Sequence, residues 1–296
     1  MSVYEKLNEL IAKHGLERIK DPILGSVKPS IEVRLGEKKE RALATCSRFG
    51  GLPCLPSADL WPTVGGKRLG RALTFVGQIR LDDLRAIEGA ALLPQGGLLS
   101  FFYDVESMPW GHDTSEQAAW RVLYFDNVSG LVPTPRPASA EMPLVLRVLN
   151  ASFVPSLTVP ALRSIEIEPL GEMTEDEFMR YWSLRDELSL LTADDANVPL
   201  HRLLGHPDAI QGCMQRTAQF ATRDERLPEG VYNYYEHPRA KELIPGSFNW
   251  RLLLQVDSDD RLGGMWGDAG RIYYWIHKDD LATRKFANTW LFLQCH

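Results

Sequence analysis

At 296 residues, with 44% hydrophobic and 24% charged side chains, the chain has the composition of a globular protein with a full core, not of a disordered or fibrous one. Its 33 basic and 39 acidic side chains leave a net charge of −6, which argues against the basic stripe of a nucleic-acid binder. No run approaches the roughly 20 apolar residues of a membrane span, and the start has neither the apolar core nor the cleavage site of an export signal, so a cytoplasmic location is expected by default.

The N-terminal segment reads as an amphipathic helix. Val3, Leu7, Leu10, Ile11 and His14 share a face, and Gly15 is placed to end it. Its polar face mixes Glu with Lys, which favours packing on the body over a membrane surface. Lys38, Lys39 and Arg41, interrupted by Glu37 and Glu40, read as a solvated turn. After Gly50-Gly51-Leu52-Pro53 and Trp61-Pro62, strands are expected over 73–79, 97–103 and 120–125, from their β-branched and aromatic content between Gly, Pro and Asp. Prolines then crowd residues 127–170, which suits connecting loops and edge strands, not central strands. Thr174 and Glu177 form a capping box for a helix with Phe178, Tyr181, Trp182, Arg185 and Leu188 along one face. A further helix is expected from His206-Pro207-Asp208 through Ile210, Met214 and Thr217. Strands return at 250–256, 270–276 and 290–295, with a short helix from Asp280 to Asn288.

The two halves of the chain align. Phe75-Val76-Gly77-Gln78-Ile79 matches Leu252-Leu253-Leu254-Gln255-Val256 with the glutamine in register. Gly97–Tyr103 then matches Gly270–Ile276, and Trp120–Phe125 matches Trp290–Cys295. Upstream, Gly50-Gly51-Leu52-Pro53 loosely matches Gly205-His206-Pro207, with the spacing one residue off. The order predicts an α+β fold with an internally duplicated β-rich repeat: two small antiparallel sheet units with packed helices about a pseudo-twofold axis. The expected divisions are an N-terminal helix and connection (1–40), a first repeat (41–126), a proline-rich connection with a helix (127–202) and a second repeat (203–296), in one compact unit. Gln78 and Gln255 sit mid-strand, where buried amides must find partners. Backbone bonds are the expected use, with a ligand contact as the alternative.

With Gly50 to Pro53, Phe75 to Leu84, Gly97 to Tyr103, Leu204-Gly205-His206-Pro207, Leu252 to Asp260 and Met265-Trp266-Gly267-Asp268-Ala269-Gly270, the chain resembles the YwqG-like family of bacterial proteins. The resemblance covers most of the chain. It implies a duplicated α+β fold, brings no established catalytic residues, and suggests a setting beside bacterial toxin systems, with a toxin or effector as protein partner and an immunity role.

The residues themselves nominate one site. Asp257, Asp259 and Asp268 fall at positions 1, 3 and 12 of a calcium-loop template, but Arg261 and Leu262 stand where a ligand and the turn glycine belong. A polar turn is the expected outcome, with no metal and no cofactor. Trp266 in that turn is either an exposed binding residue or a buried lid. His201, His206 and Cys213 lack zinc spacing. Gly66-Lys67 lacks the rest of a phosphate loop, and Cys54 has no neighbouring base. The four cysteines (Cys46, Cys54, Cys213, Cys295) are expected as reduced, buried thiols. Two functions remain open. The favoured one is a non-enzymatic protein-binding module using Gln78, Gln255, Asp257, Asp259, Trp266 and Asp268. The alternative is a hydrolase or small-ligand enzyme in the cleft between repeats, with Asp257, Asp259, Asp268 and His206. Nucleic-acid and membrane partners are not expected, and the oligomeric state is left open.

Overall fold

The computed structural model describes residues 3–36, 44–64, 70–137, 144–191, 199–223, 225 and 234–296. The turn expected at Glu37–Arg41 and the glycine–lysine pair at 66–67 lie outside them. Helix α1 (Val3–Lys13) buries Leu7, Leu10 and Ile11, and Gly15 ends it at φ +62°. There follow α2 (Lys20–Ser26), β1 (Lys28–Gly36), β2 (Arg48–Phe49), β3 (Thr74–Arg80), β4 (Leu98–Tyr103), β5 (Trp120–Phe125) and β6 (Leu149–Thr158). The second half adds α3 (Glu175–Leu190), β7 (Arg202–Leu204), α4 (Met214–Ala221), α5 (Ala240–Leu243), β8 (Trp250–Asp257), β9 (Arg271–His277), α6 (Lys278–Ala282) and β10 (Trp290–Gln294).

These strands form one ten-stranded sheet in the order β10-β9-β8-β7-β1-β6-β2-β3-β4-β5. The two meanders expected as separate small sheets are therefore the two ends of a single sheet. What joins them is the long antiparallel pairing of β1 with β6, running from Lys28↔Thr158 to Gly36↔Asn150. The sheet curls until its ends face each other, nearly as a barrel. Phe101 packs edge-on to Tyr274 with ring centres 5.1 Å apart, Tyr103 on Trp266 at 6.0 Å, and Trp120 on Trp290 at 5.3 Å. Each such pair adds about 0.5–1.5 kcal/mol to the gain from burial. The Tyr274 hydroxyl donates to the Phe102 carbonyl across the interior at 3.2 Å. The β4–β5 connection reaches the free side of β10, where Leu293 N donates to the Trp110 carbonyl at 3.3 Å and the Trp290 indole to that of Gly111 at 2.7 Å. Only glycine serves at 111: φ is +79°, and a Cβ there would lie 1.7 Å from the Leu291 carbonyl oxygen.

Both ends bulge at matching places. The β3–β4 register shifts between Phe75 and Gly77, and the β8–β9 register between Leu252 and Leu254, each directly before its glutamine. α1, α2 and α3 form a separate layer, with Ile19, Ile23, Tyr181, Leu184 and Leu188 in its core.

Three local expectations are corrected. Pro155 sits inside β6, a strand in the middle of the sheet. It fits because β2 pairs only with Leu149 and Asn150, leaving the rest of that side of β6 without a ladder partner. On α3 the capping box forms as predicted, but Phe178 and Trp182 are 39% and 50% exposed. The contact with α1 runs through the expected Tyr181 and Leu188, joined by Leu184. The helix expected from His206 starts only at Met214. Side chains take the amides before it: Thr158 accepts from His206 N, Gln255 from Asp208 N, and Gln294 from Ile210 N and Gln211 N. Among the described residues no helix is long and apolar enough to cross a membrane.

Candidate functional site

Both glutamines sit in fully buried hubs. Gln78 accepts from Cys54 N at 3.1 Å and donates to the carbonyls of Cys46 and Ala44 at 2.9 and 3.2 Å. Arg48 pairs opposite it in the ladder and donates to the Leu52 and Ala44 carbonyls. Gln255 accepts from Asp208 N at 2.9 Å and donates to the Leu200 carbonyl at 2.8 Å and to Asp208 Oδ2 at 2.9 Å. Arg202 pairs opposite it and donates to the His206 carbonyl and to Asp208 Oδ2.

Two acids of the nominated turn, Asp257 and Asp259, are spent internally. Asp257 accepts from Leu200 N at 2.9 Å and from Ser258 N at 3.0 Å, with the Arg271 guanidinium 3.0 Å from Oδ2. His201 Nδ1 accepts from Asp257 N, which leaves Nε2–H to donate to Asp259 Oδ2 at 3.2 Å. Arg261 grips Asp259 through Nε at 3.0 Å and Nη2 at 2.7 Å. Burial would raise the pKa of Asp259, but His201 and Arg261 outweigh it and hold the carboxyl below its usual range. Asp208 is likewise held low, by Arg202, Arg271 and Arg185 against the opposing effect of burial. Trp266 is buried, with its indole N–H on the Asp257 carbonyl at 3.0 Å, whereas the Asp268 side chain faces solvent.

His206 is also committed. Nδ1 lies 3.0 Å from Glu166 Oε2 and Nε2 lies 2.8 Å from the Ser26 carbonyl, while Lys28 holds the other Glu166 oxygen. Against burial, His206 and Lys28 push Glu166 down to about 2. Burial pushes the Cys213 thiol up to about 11, which disfavours its thiolate. Asp257, Asp259 and His206 are thus divided among different partners, and Asp268 stands apart in solvent. Among the described residues no group of three or more His, Cys, Asp or Glu is placed to hold a metal ion.

An open concavity lies elsewhere, at the end of the sheet where β1 and β8 begin and β7 ends. A cavity of about 400 Å³ is lined by Lys28, Pro29, Leu92, Leu204, Arg251 and Leu252. A second, of about 460 Å³, shares Leu92 and Arg251 and continues past Lys278, Leu281 and Arg284. The loop from Gly89 to Gln95 forms the outer wall. Gly89, at φ +97°, lets this loop press on the sheet, since a Cβ would lie 2.7 Å from the Pro29 Cβ. The result is a groove with an apolar floor (Leu204, Leu252, Leu281) and Leu92 at its mouth, 57% exposed. Arg251 Nη1 donates to the Phe248 and Trp250 carbonyls at 2.6 and 3.1 Å. Among the described residues no carboxylate pairs with Arg251, Lys278 or Arg284. Lys28 is neutralised by Glu166; burial lowers its pKa, and the nearby charge of Arg251 adds to that lowering.

Sequence reasoning passes over this groove. Its one signal is Gly89-Ala90-Ala91-Leu92-Leu93-Pro94, an apolar run in a loop where polar residues are the rule.

Over residues 47–295 the sequence matches the family described as Domain of unknown function (DUF1963). The chain belongs to this family. No curated protein matches it. The groove and both glutamines fall within the DUF1963 span, apart from the groove's first wall at Lys28 and Pro29, which β1 supplies, and the Ala44 and Cys46 carbonyls that Gln78 holds.

Proposed function

We propose that this DUF1963 protein, of the YwqG-like type, is a non-enzymatic protein-binding module that docks its partner in the groove between the Gly89–Gln95 loop and β8. One observation carries this reading. The groove is a large concavity whose walls bring apolar side chains and cations, and its one ionisable pair, Lys28 with Glu166, ties the ammonium to a carboxylate. The residues able to do chemistry are held inside the fold by one another: Asp257 with Arg271, Asp259 with His201 and Arg261, and His206 with Glu166. A hydrolase needs its general base within reach of open space, and these groups face the interior. A toxin or effector is the partner class that the family resemblance implies, with immunity as the accompanying role.

The proposal includes an internal duplication. In support, Arg48 and Arg202 stand opposite Gln78 and Gln255, and both strand ends turn through positive φ, at Gly50-Gly51 and at Leu204-Gly205. The register shifts fall at equivalent residues as well. The roles of Gln78, Gln255, Asp257, Asp259 and Trp266 are then architectural, and Asp268 is a solvated turn residue.

The test is a photoreactive benzoylphenylalanine placed at position 92 in the native host, with Glu175 on the surface of α3 as the control position. A discrete protein adduct from position 92 and none from 175 is expected. No adduct, or the same adduct from both positions, would overturn the docking site.

A further inference from the structure

Resting on that docking reading, we infer that the groove selects an acidic segment of a partner protein that places an apolar side chain between its carboxylates. Charge complementarity carries the inference. The molecule as a whole has a net charge of −6, so four cations gathered around one concavity run against its average. Of these, only Lys28 is paired with a carboxylate among the described residues, through Glu166 at its back. Arg251 stands at the wall shared by both cavities, half-buried, with one nitrogen fixed on backbone carbonyls and the remaining N–H donors uncommitted among the described residues. A half-buried guanidinium without a counter-charge is costly to hold and is relieved by an incoming carboxylate, which it can grip through two parallel bonds. Lys278 and Arg284 extend the positive wall beyond it.

The floor decides between kinds of anion. Leu204 and Leu252 floor the first cavity and Leu281 the second, with Leu92 projecting between them. A bare phosphate would leave that apolar surface wet. Nucleic acid would need a longer basic track than four side chains supply. An extended chain whose apolar side chains fill the cavities while its acids meet Arg251, Lys278 and Arg284 uses both features. The exposed leucine with flanking cations is the pattern of an anchor surrounded by a charged rim.

The test measures fluorescence anisotropy on the full-length protein with a labelled peptide alternating Glu and Leu, its Gln-for-Glu counterpart, and decanoate as a competing free amphiphile. The acidic peptide is expected to bind, and to weaken roughly tenfold or more on Arg251→Glu and on Leu92→Ser. Lys278→Glu, at an exposed site, serves as a second charge reversal should Arg251→Glu fail to fold, and is expected to weaken binding several-fold in a salt-sensitive way. Equal binding of the Gln peptide, preferential binding of decanoate, or indifference to both charge reversals would overturn the inference, as would no binding of the acidic peptide. A position-92 adduct obtained alongside any of these results would leave the docking site standing with a partner of different chemistry; loss of both would remove the groove as a binding site.

Discussion

The two glutamine hubs make similar hydrogen bonds to backbone with different chemistry around them. At the Gln78 hub two of the places beside the amide are neutral: Cys54, and Ser47, whose hydroxyl accepts from Arg80 N at 2.9 Å and donates to Asp83 at 2.7 Å. At the Gln255 hub the corresponding places are taken by Asp208 and by His201, which accepts from Asp257 N. Arg202, Arg185 and Arg271 then surround Asp208. The amide bonds set the chain path, and either a thiol or a carboxylate is accommodated beside them when its partners come with it. Ionisable residues at the second hub are therefore poor guides to function, because the charges there compensate one another.

That difference is open to direct attack. Asp208→Ala should cost about 3–5 kcal/mol in urea unfolding, because it strands Arg202 and Arg185 without their shared carboxylate. Cys54→Ala should cost only about 1–2 kcal/mol, the loss of a small buried side chain. Equal costs would erase the distinction between the hubs. Gln255→Leu should follow at about 3 kcal/mol, since it leaves Asp208 N and the Leu200 carbonyl unsatisfied. Gln78→Leu should cost about 2–3 kcal/mol for Cys54 N and the Cys46 carbonyl, the Ala44 carbonyl keeping Arg48 and Cys54 as donors. Near-neutrality of either would show that its hub is not what fixes the loop.

The pH dependence sharpens the same contrast. Glu166 is held at about 2, and Asp208 and Asp259 below their ordinary value. Carboxylates with depressed folded pKa values contribute stability that is present above the unfolded pKa of about 4 and is lost as pH falls through the folded value. Stability should therefore decline from about pH 4 towards pH 2, and Glu166→Gln should make that acid limb shallower. An unchanged slope in the variant would remove Glu166 from the account. The smallest effect is expected at the groove: Leu92→Ser and Lys278→Glu should each shift unfolding by less than about 0.5 kcal/mol, as exposed positions do.

Much of the fold is legible in the sequence because the signals are local. Gly15, the Thr174–Glu177 box and the aromatic strands each announce an element within a few residues. The in-register glutamines pointed to backbone bonds, which both make. What escaped depends on distant partners. Pro155 is tolerated in β6 only because β2 is two residues long. Residues 206–213 stay irregular because Thr158, Gln255 and Gln294 capture their amides from far along the chain. Phe178 and Trp182 fit a helical stripe as well as Leu184 does, and only the position of α1 selects among them. The groove is hidden for the same reason: Lys28, Leu92, Arg251 and Lys278 come together from four separate elements.

The central claim is that binding falls on the groove and not on the Asp-rich turn. Hydrogen exchange, read by mass spectrometry with and without the acidic leucine-bearing peptide, tests this most directly. Added protection confined to residues 89–95 and to 250–252, with 257–268 unchanged, is the predicted result. Protection centred on 257–268 instead, or none anywhere, would contradict it.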